Sequence, residues 1–272
     1  MSERTEQVWF ITGASSGLGR AIAEAALDAG DRVIGSARDV SALRPLAERH
    51  AGRLVTLPLD VSDRDAVFAA VGRAAAAFGR LDVVVNAAGR LLSGMIEETT
   101  EEQARAHLDS NLLGALWVSQ AVIPHLREQG SGHILHVTAM GAGGGSAGYG
   151  LYGAGKSALS AISQAMSAEL SAFGIKVTSL EPGPYATSLF SKAEFAARNP
   201  AYDRVRSAPG KEPLPKVSSP AKAARVVLKL VRLQEPPTRL VLGGEAFERV
   251  QRIERRRGEE YAAWEWLSRE GG

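Results

Sequence analysis

Tyr152 and Lys156 are the residues whose types and spacing most directly suggest chemistry. They stand four apart at the start of a predicted helix, "LYGAGKSALSAISQAMSAELSAFG", so both side chains project from one face. The ammonium group is expected to lower the pKa of the neighbouring phenol, because it favours the phenolate. Such a pair could move a proton to or from an oxygen atom of a bound molecule. Taken alone, the spacing also fits a solvated helix face without a function.

A glycine-rich turn supports the chemical interpretation. The segment "TGASSGLG", residues 12–19, lies between an apolar, β-prone segment and a predicted helix. Glycines let the backbone approach a pyrophosphate, and the free N–H groups of a helix N-terminus attract it. An ordinary tight turn would explain an isolated glycine pattern about equally well. The residues of this turn predicted to contact a dinucleotide are Gly13, Ser15, Ser16, Gly17, Leu18 and Gly19.

The elements that must position these residues alternate between strand and helix along the chain. Strands are predicted at "QVWFITG", "DRVIGSAR", "LVTLPLDVS", "LDVVVNAAG", "GHILHVTA", "IKVTSLEPG" and "TRLVLGG", with helical segments between them. This alternation predicts an α/β fold of the Rossmann type: a doubly wound, seven-stranded parallel sheet with helices on both faces. No second core and no internal repeat is visible in the sequence. Residues 1–272 are therefore predicted to form a single domain.

Four segments carry further predictions about organisation. A long helix is predicted from residue 101, with Thr100 as its N-cap. Residues 190–220 have scattered prolines and no sustained period, which is typical of a lid or binding element. A helix then restarts with Ser219 as N-cap and Pro220 in its first turn. The tail, residues 245–272, mixes both charges with aromatic side chains, which favours a solvated helix over the sheet edge.

Composition and charge exclude several classes of protein. The 272 residues include 32 basic and 30 acidic side chains, and a net charge of +2 indicates neither nucleic acid nor an anionic membrane as a partner. Cysteine is absent, which excludes disulfides, cysteine nucleophiles and thiolate metal sites, and no candidate metal ligands are identified. No apolar run reaches the ~18 residues of a membrane span. The N-terminal "MSERTEQ" is unlike a signal peptide, so a cytoplasmic location is expected.

Further motifs follow the glycine-rich turn in chain order. Together with that turn they resemble the motifs of the short-chain dehydrogenase/reductase family over nearly the whole chain. The resemblance implies that the glycine-rich turn binds a nicotinamide cofactor and that Tyr152, Lys156 and Asn111 belong to a catalytic tetrad. It also implies that Lys156 holds the nicotinamide ribose and that Asn111 positions a water leading to the lysine. The remaining cofactor-binding residues implied by the family motifs are Asp60 and Val61 in "LDV", Asn86, Ala87 and Gly89 in "NAAG", and Pro182, Gly183 and Thr187 in "PGPYAT".

The fourth member of the tetrad, usually a serine thirteen residues before the tyrosine, is missing. Ala139 stands at that position, and Thr138 carries the adjacent hydroxyl group. A shift of one residue along a strand reverses the direction of the side chain, so Thr138 could substitute only if a bulge or turn rotates it. Ser146 and Tyr149 could also reach the site. Loss of one donor to the substrate oxygen typically costs about 10²–10³ in rate. Either the activity is weak, another donor stands in, or the reaction needs less help at the oxygen.

The end of the second strand, "GSARD", bears on the choice of cofactor. In the family an acidic residue there accepts the ribose hydroxyls of NAD, but Ala37 occupies that position. The adjacent Arg38 can pair with a 2′-phosphate in a forked contact, which favours NADP(H). The alternative is a surface arginine paired with Asp39.

The function most consistent with these residues is NADPH-dependent reduction of a ketone to a secondary alcohol, or the reverse oxidation. Two alternatives stay open. One is a non-redox or hydride-recycling enzyme, such as an isomerase, cyclase or dehydratase, that retains bound NADP(H). The other is a dinucleotide-sensing protein without catalysis, although such a protein would not need Tyr152, Lys156 and Asn111.

The expected partners are a small, moderately apolar carbonyl or alcohol and further copies of the chain. Residues that could line the substrate pocket are Leu91, Leu92, Met95, Met140, Tyr149, Tyr185, Leu189 and Phe190, although core packing would explain any one of them. The family resemblance implies a homodimer or homotetramer, paired through the helices that begin near Thr100 and Leu151. The helix that begins near Leu151 has an alanine-rich face, which would permit close approach between two subunits or packing on the protein's own sheet. The residues of this face are Ala154, Ala158, Ala161, Ala165 and Ala168.

Overall fold

A seven-stranded sheet forms the centre of the computed structural model, which describes residues 5–140, 145–208 and 216–272. The strands are β1 (Val8–Thr12), β2 (Arg32–Ala37), β3 (Leu54–Pro58), β4 (Val83–Asn86), β5 (Leu92–Ser93), β6 (Gly132–Val137), β7 (Ile175–Pro182), β8 (Glu194–Phe195) and β9 (Arg239–Leu242). The main sheet has the order β3-β2-β1-β4-β6-β7-β9 with every neighbouring pair parallel, and β5 pairs separately with β8. The strand order reverses between β1 and β4, and in open α/β sheets ligands bind beside such a reversal, outside the carboxyl ends of the strands. The predicted fold class is confirmed.

Helices cover both faces of this sheet. They are α1 (Gly17–Asp28), α2 (Arg44–Arg49), α3 (Arg64–Phe78), α4 (Glu101–Leu108), α5 (Gly114–Gln129), α6 (Gly150–Leu170), α7 (Asp203–Arg206), α8 (Pro220–Leu230), α9 (Gly244–Ala263) and α10 (Glu265–Arg269). One apolar core packs the sheet against α1 and α8, and the other packs it against α3, α5 and α6. Adjacent residues of β1, Trp9 and Phe10, enter opposite cores, as the pleat of a strand requires.

The long helix predicted from residue 101 is interrupted. Thr100 is its N-cap as expected, since the Thr100 hydroxyl accepts a hydrogen bond from Gln103 N and the Gln103 side chain accepts one from Thr100 N, both at 3.2 Å. Between α4 and α5, however, Asp109–Leu113 form a π-helical turn. Such turns often occur at functional sites, and this one contains Asn111.

The lid predicted at residues 190–220 is not a plain loop. It contains β8, a 3₁₀ turn at Pro200–Tyr202 and α7, while residues 209–215 lie outside the described part of the chain. Helix α8 then starts at Pro220 after Ser219, as predicted. The tail forms α9 and α10, and most of its residues are exposed. None of the helices in the described ranges has the length and apolar character of a membrane span.

Candidate active site

The turn between β1 and α1 depends on glycines. Gly13 and Gly17 have φ angles of +67° and +58°, which disfavour residues with a side chain. A Cβ atom on Gly13 would lie 2.8 Å from the Ala88 Cα atom, and one on Gly19 would lie 2.5 Å from the Gly13 carbonyl oxygen. The turn therefore packs directly against the loop after β4, backbone against backbone.

The open side of this turn fits an anionic ligand. Ser16 is the N-cap of α1, but its side chain makes no capping hydrogen bond, so no cap hydroxyl occupies the first N–H groups of the helix. Ser15, Ser16 and Leu18 are at least partly exposed. Free N–H groups beside a glycine-lined backbone are what a pyrophosphate requires. The residues present here fit a dinucleotide.

The other predicted cofactor residues reach the turn from neighbouring strands. The Thr12 hydroxyl accepts hydrogen bonds from Ala87 N and Ala88 N at 3.2 and 3.3 Å, which ties "NAAG" to the end of β1. Thr187 lies opposite the turn, since a Cβ atom on Gly17 would be 3.4 Å from the Thr187 Cβ atom. Four predicted residues hold the surrounding elements rather than facing the turn directly. These contacts are Asn86 Nδ2 to Ser119 Oγ at 3.5 Å, Val61 against Gly114, and Gly183 against Ala246, while Pro182 O accepts from Met140 N.

Asp60 is exposed beyond the end of β3. One carboxylate oxygen accepts hydrogen bonds from the backbone N–H and the hydroxyl of Ser62, at 3.0 and 2.7 Å. Partial burial alone would raise the pKa of Asp60, but these bonds and the charges of Arg38 and Arg90 outweigh burial and lower it. The carboxylate is therefore ionised and accessible beyond the carboxyl end of β3.

Arg38 is exposed at the end of β2, and no carboxylate in the described ranges lies within ion-pair distance of it. The Asp39 carboxylate instead accepts a hydrogen bond from Ser41 N at 2.8 Å, and this bond lowers the Asp39 pKa. The alternative in which Arg38 pairs with Asp39 is therefore not what the structure contains. Ala37, where an acidic residue would select NAD, is buried.

Three predicted residues meet beside the loop after β4. A Cβ atom on Gly89 would lie 2.7 Å from Asn111 Oδ1 and 3.5 Å from Lys156 Nζ. Asn111 Oδ1 accepts from Arg90 N at 3.1 Å, while Asn111 Nδ2 donates to the carbonyls of Arg90 and His107 at 3.1 and 3.0 Å. Lys156 Nζ donates to Val137 O at 2.8 Å. The π-helical turn and the start of α6 thus converge on one point.

Burial sets the ionisation of Tyr152 and Lys156. Burial raises the pKa of Tyr152 to about 12 and lowers the pKa of Lys156 to about 8. The expectation that the ammonium lowers the pKa of the phenol is wrong, because burial disfavours the phenolate and raises the pKa instead. The Tyr152 hydroxyl has no hydrogen-bond partner among residues 5–140, 145–208 and 216–272, so it is available to a ligand.

Thr138 does not turn towards the site. Strand pairing continues without a bulge beyond β6, because Thr138 N donates to Leu180 O and Met140 N donates to Pro182 O in regular steps of two residues. The buried Thr138 hydroxyl lies 2.8 Å from Leu180 O and 2.9 Å from Ser179 Oγ, so it forms its hydrogen bonds with residues of β7. Ala139 points the opposite way and is half-buried. Ser146 is exposed, and residues 141–144 of the same loop lie outside the described ranges.

The residues proposed to line the substrate pocket divide into three groups. Leu91, Leu92 and Met95 are buried beside the site loop, Met140 and Leu189 are half-buried, and Tyr149 and Phe190 are exposed. Tyr185 is different, because it packs in the core with α1 and α8.

Sequence reasoning missed His107, which lies one helical turn before Asn111 and is 1 % exposed. Its ring centroid lies 6.1 Å from that of Tyr152. Burial, followed by the charges of Lys156 and Arg90, lowers the pKa of His107 to about 4, so the ring is neutral at working pH. The spacing of four residues from Asn111 was the available signal.

Comparisons with known proteins agree on one family. The model of the short chain dehydrogenase family matches residues 7–197. Oxidoreductase BOA17 from Botryotinia fuckeliana is 39 % identical over 252 residues, which cover 89 % of this chain and 90 % of the fungal protein. The crystal structure of a short-chain dehydrogenase from Streptomyces avermitilis has a TM-score of 0.91 and 38 % identity, over 99 % of this chain and 100 % of that one.

Two further structures, each 25 % identical, contain cofactors. A 3-ketoacyl-(acyl-carrier-protein) reductase from Brucella melitensis, complexed with NADH, has a TM-score of 0.75 and covers 87 % of this chain and 96 % of its own. An alcohol dehydrogenase from Thermococcus sibiricus, complexed with 5-hydroxy-NADP, has a TM-score of 0.74 and covers 88 % and 96 %.

Proposed function

This chain belongs to the short-chain dehydrogenase family of oxidoreductases, and we propose that it reduces a ketone to a secondary alcohol, or catalyses the reverse, with NADP(H). The observation that carries the proposal is the convergence of Asn111 and Lys156 on Gly89. Tyr152 shares the face of α6 with Lys156, and its hydroxyl has no hydrogen-bond partner among the residues that the structure describes. This group lies at the carboxyl end of the sheet, beside a turn that fits a dinucleotide.

The preference for NADP(H) rests on Ala37 and Arg38. Similar structures contain NADH in one case and 5-hydroxy-NADP in another, so the family does not decide between the two cofactors. Arg38 is exposed and has no carboxylate partner in the described ranges, and it would pair with a 2′-phosphate. The glycine-rich turn, Asp60, "NAAG", Lys156 and Thr187 would hold the rest of the dinucleotide. When bound, the cofactor supplies or accepts the hydride.

Tyr152 is the proposed proton donor in the direction of reduction. With a pKa of about 12, its phenol is protonated at neutral pH and can donate to the substrate oxygen as that oxygen becomes an alkoxide. The resulting phenolate can recover a proton from Lys156, because an ammonium group with a pKa of about 8 is the stronger acid of the two. Asn111 holds the Arg90 backbone against this pair through two hydrogen bonds, and a third bond ties the Asn111 side chain to His107 O.

The proposed substrate is a small, moderately apolar carbonyl compound or alcohol. Leu91, Leu92 and Met95 supply apolar surface beside the site loop. Since Ala139 offers no hydroxyl group, Tyr152 is the only tetrad side chain left to donate to the substrate oxygen. Action as a homo-oligomer and a cytoplasmic location stay predictions.

The test is Tyr152→Phe, followed by NADPH consumption with a panel of apolar ketones. We expect turnover to fall by at least about 10²-fold, since general acid catalysis contributes that much, while the Kd of NADPH stays within about twofold. The matched control is Tyr261→Phe, an exposed tyrosine on α9, which should keep its activity. A Tyr152→Phe enzyme that retains most of its turnover would contradict the proposal. Substrate conversion without net NADPH consumption would favour the hydride-recycling or non-redox alternative.

A further inference from the structure

The Glu98 carboxylate is fully buried and bound from two sides. Its side chain is 0 % exposed, although glutamate is ordinarily a surface residue. One oxygen accepts from Met95 N at 2.7 Å, and the other accepts from Asn199 N at 2.7 Å and pairs with the Arg206 guanidinium. These bonds, the one from Arg206 above all, hold the pKa of Glu98 at about 2, so it stays ionised at any working pH.

Two of these donors belong to the lid segment, defined here as residues 194–206, and Glu98 belongs to a short segment, residues 92–98. The same two segments pair as β5 and β8, and Ala196 N donates to Ser93 O at 2.9 Å. A Cβ atom on Gly94 would lie 2.4 Å from the Ala196 Cβ atom, so the two backbones are in close contact. An ion pair between Arg90 and Glu194 closes one end of the contact.

The opposite side of residues 92–98 contacts the start of α6. Gly94 N donates to Gly148 O at 2.9 Å, and Gly94 forms a β-bridge with Tyr149. A Cβ atom on Gly150 would lie 2.5 Å from the Ile96 Cδ1 atom. Gly150 is the first residue of α6, and Tyr152 follows two residues later. Residues 92–98 therefore lie between the lid segment and the turn that presents Tyr152.

We propose that Glu98 is a positioning residue, which holds the lid segment against residues 92–98. Because residues 92–98 also contact the start of α6, Glu98 thereby fixes the position of the lid segment relative to Tyr152 before substrate binds. The inference rests on the proposed role of Tyr152. Its physical basis is preorganisation: a lid already ordered by buried, charge-assisted hydrogen bonds does not subtract its ordering entropy from substrate binding.

The experiment compares Glu98→Gln with Glu97→Gln in the full-length protein. Glutamine keeps the shape of Glu98 but loses the charge and directs an amide N–H group at existing donors. Glu97 is the matched control, because it also contacts the lid segment, through a 2.5 Å hydrogen bond from the exposed Tyr202 hydroxyl, but on the surface. Arg206→Gln is a second, milder variant, in which Glu98 keeps its two backbone donors.

The first measurement is amide hydrogen exchange in residues 194–206, which requires no activity. We expect exchange there to accelerate about tenfold or more in Glu98→Gln and less in Arg206→Gln, with little change in Glu97→Gln. Unchanged exchange in both Glu98→Gln and Arg206→Gln would overturn the proposed anchoring of the lid, whatever the protein catalyses.

The second measurement is steady-state kinetics on a ketone that the wild-type protein reduces. We expect KM for the ketone to rise about tenfold in Glu98→Gln, while the Kd of NADPH changes less than twofold, because Glu98 contacts no proposed cofactor residue. Faster exchange with unchanged KM and kcat would overturn the positioning role. A wild-type protein that consumes no NADPH with any ketone would refute the proposed function instead, and exchange would still decide the anchoring.

Discussion

Tyr152 and Lys156 stand on one helix face, and burial moves their pKa values in opposite directions, to about 12 and about 8. At neutral pH the phenol is protonated and the amine is charged, which is the pairing that carbonyl reduction needs. As the pH rises, Lys156 loses its proton before Tyr152 does. We therefore expect the lysine to limit the proposed activity on the alkaline side.

Arg38 carries the prediction on cofactor choice. Arg38→Asp replaces the proposed partner of the 2′-phosphate with a like charge, so the Kd of NADPH should rise by about 10²-fold and that of NADH by threefold or less. Fluorescence titration with both cofactors measures the two constants. Arg73→Asp, which changes an exposed arginine on α3, is the control and should leave both unchanged. An equal loss for both cofactors would show that Arg38 does not bind the 2′-phosphate.

At the scale of the element, the carboxyl end of β6 determines which hydroxyl group can act in the site. Thr138 continues the regular ladder with β7 and its hydroxyl is bound there, while Ala139 points the other way. A threonine so held stabilises the pairing of β6 with β7 rather than a substrate. The family resemblance places position 139, not 138, beside the substrate oxygen.

Ala139→Ser should therefore raise kcat/KM for ketone reduction, by up to the ~10²–10³ that one oxyanion donor supplies. Thr138→Val is the matched variant at the neighbouring position. It should lower the free energy of unfolding by about 1 kcal/mol, because buried hydrogen bonds are lost, and leave kcat unchanged. Steady-state kinetics and urea unfolding of both variants make the test. An inactive Thr138→Val together with an unaltered Ala139→Ser would assign the donor to Thr138.

At the scale of the whole molecule, three buried histidines link stability to pH. His107, His133 and His136 are each at most 4 % exposed, and burial lowers the pKa of each to about 4. His136 joins two helices on the same face of the sheet, since its ring nitrogens lie 2.9 and 2.7 Å from the hydroxyls of Ser119 on α5 and Ser163 on α6. A proton on any of these rings would place an unpaired charge in the interior.

The folded pKa of each ring lies below the unfolded value of about 6.5, so the unfolded chain binds more protons as the pH falls. The free energy of unfolding should therefore fall between about pH 6.5 and pH 4, by up to roughly 3 kcal/mol for each histidine. Urea unfolding at several pH values measures this slope. His136→Leu should reduce the slope, whereas the exposed His125→Gln should not. Stability that is flat from pH 7 to pH 5 would contradict the prediction.

The alanine-rich face of α6 bears on assembly. Ala154, Ala161, Ala165 and Ala168 are exposed and Ala158 is half-buried, so this face does not pack on the protein's own sheet. The sheet is covered instead by the opposite side of α6, which includes Leu159 and Met166. A homo-oligomer paired through this helix stays a prediction.

The sequence by itself determined what depends on local pattern. The alternation of apolar strands with helices specified the doubly wound sheet, the glycines at 13, 17 and 19 specified the turn, and a spacing of four placed Tyr152 and Lys156 on one helix face. Each of these follows from backbone geometry over a few residues.

Tertiary structure alone decided the contacts between distant residues and the ionisation of buried ones. Glu98 binds donors 101 and 108 positions away, and no periodicity in the sequence relates them. The direction of the shift in the Tyr152 pKa depended on burial, which the spacing of Tyr152 and Lys156 does not reveal. Tertiary structure also decided the π-helical turn at Asn111, because the sequence of that segment has the pattern of an ordinary helix. Local pattern specifies which way a side chain points, but the fold decides what it meets there.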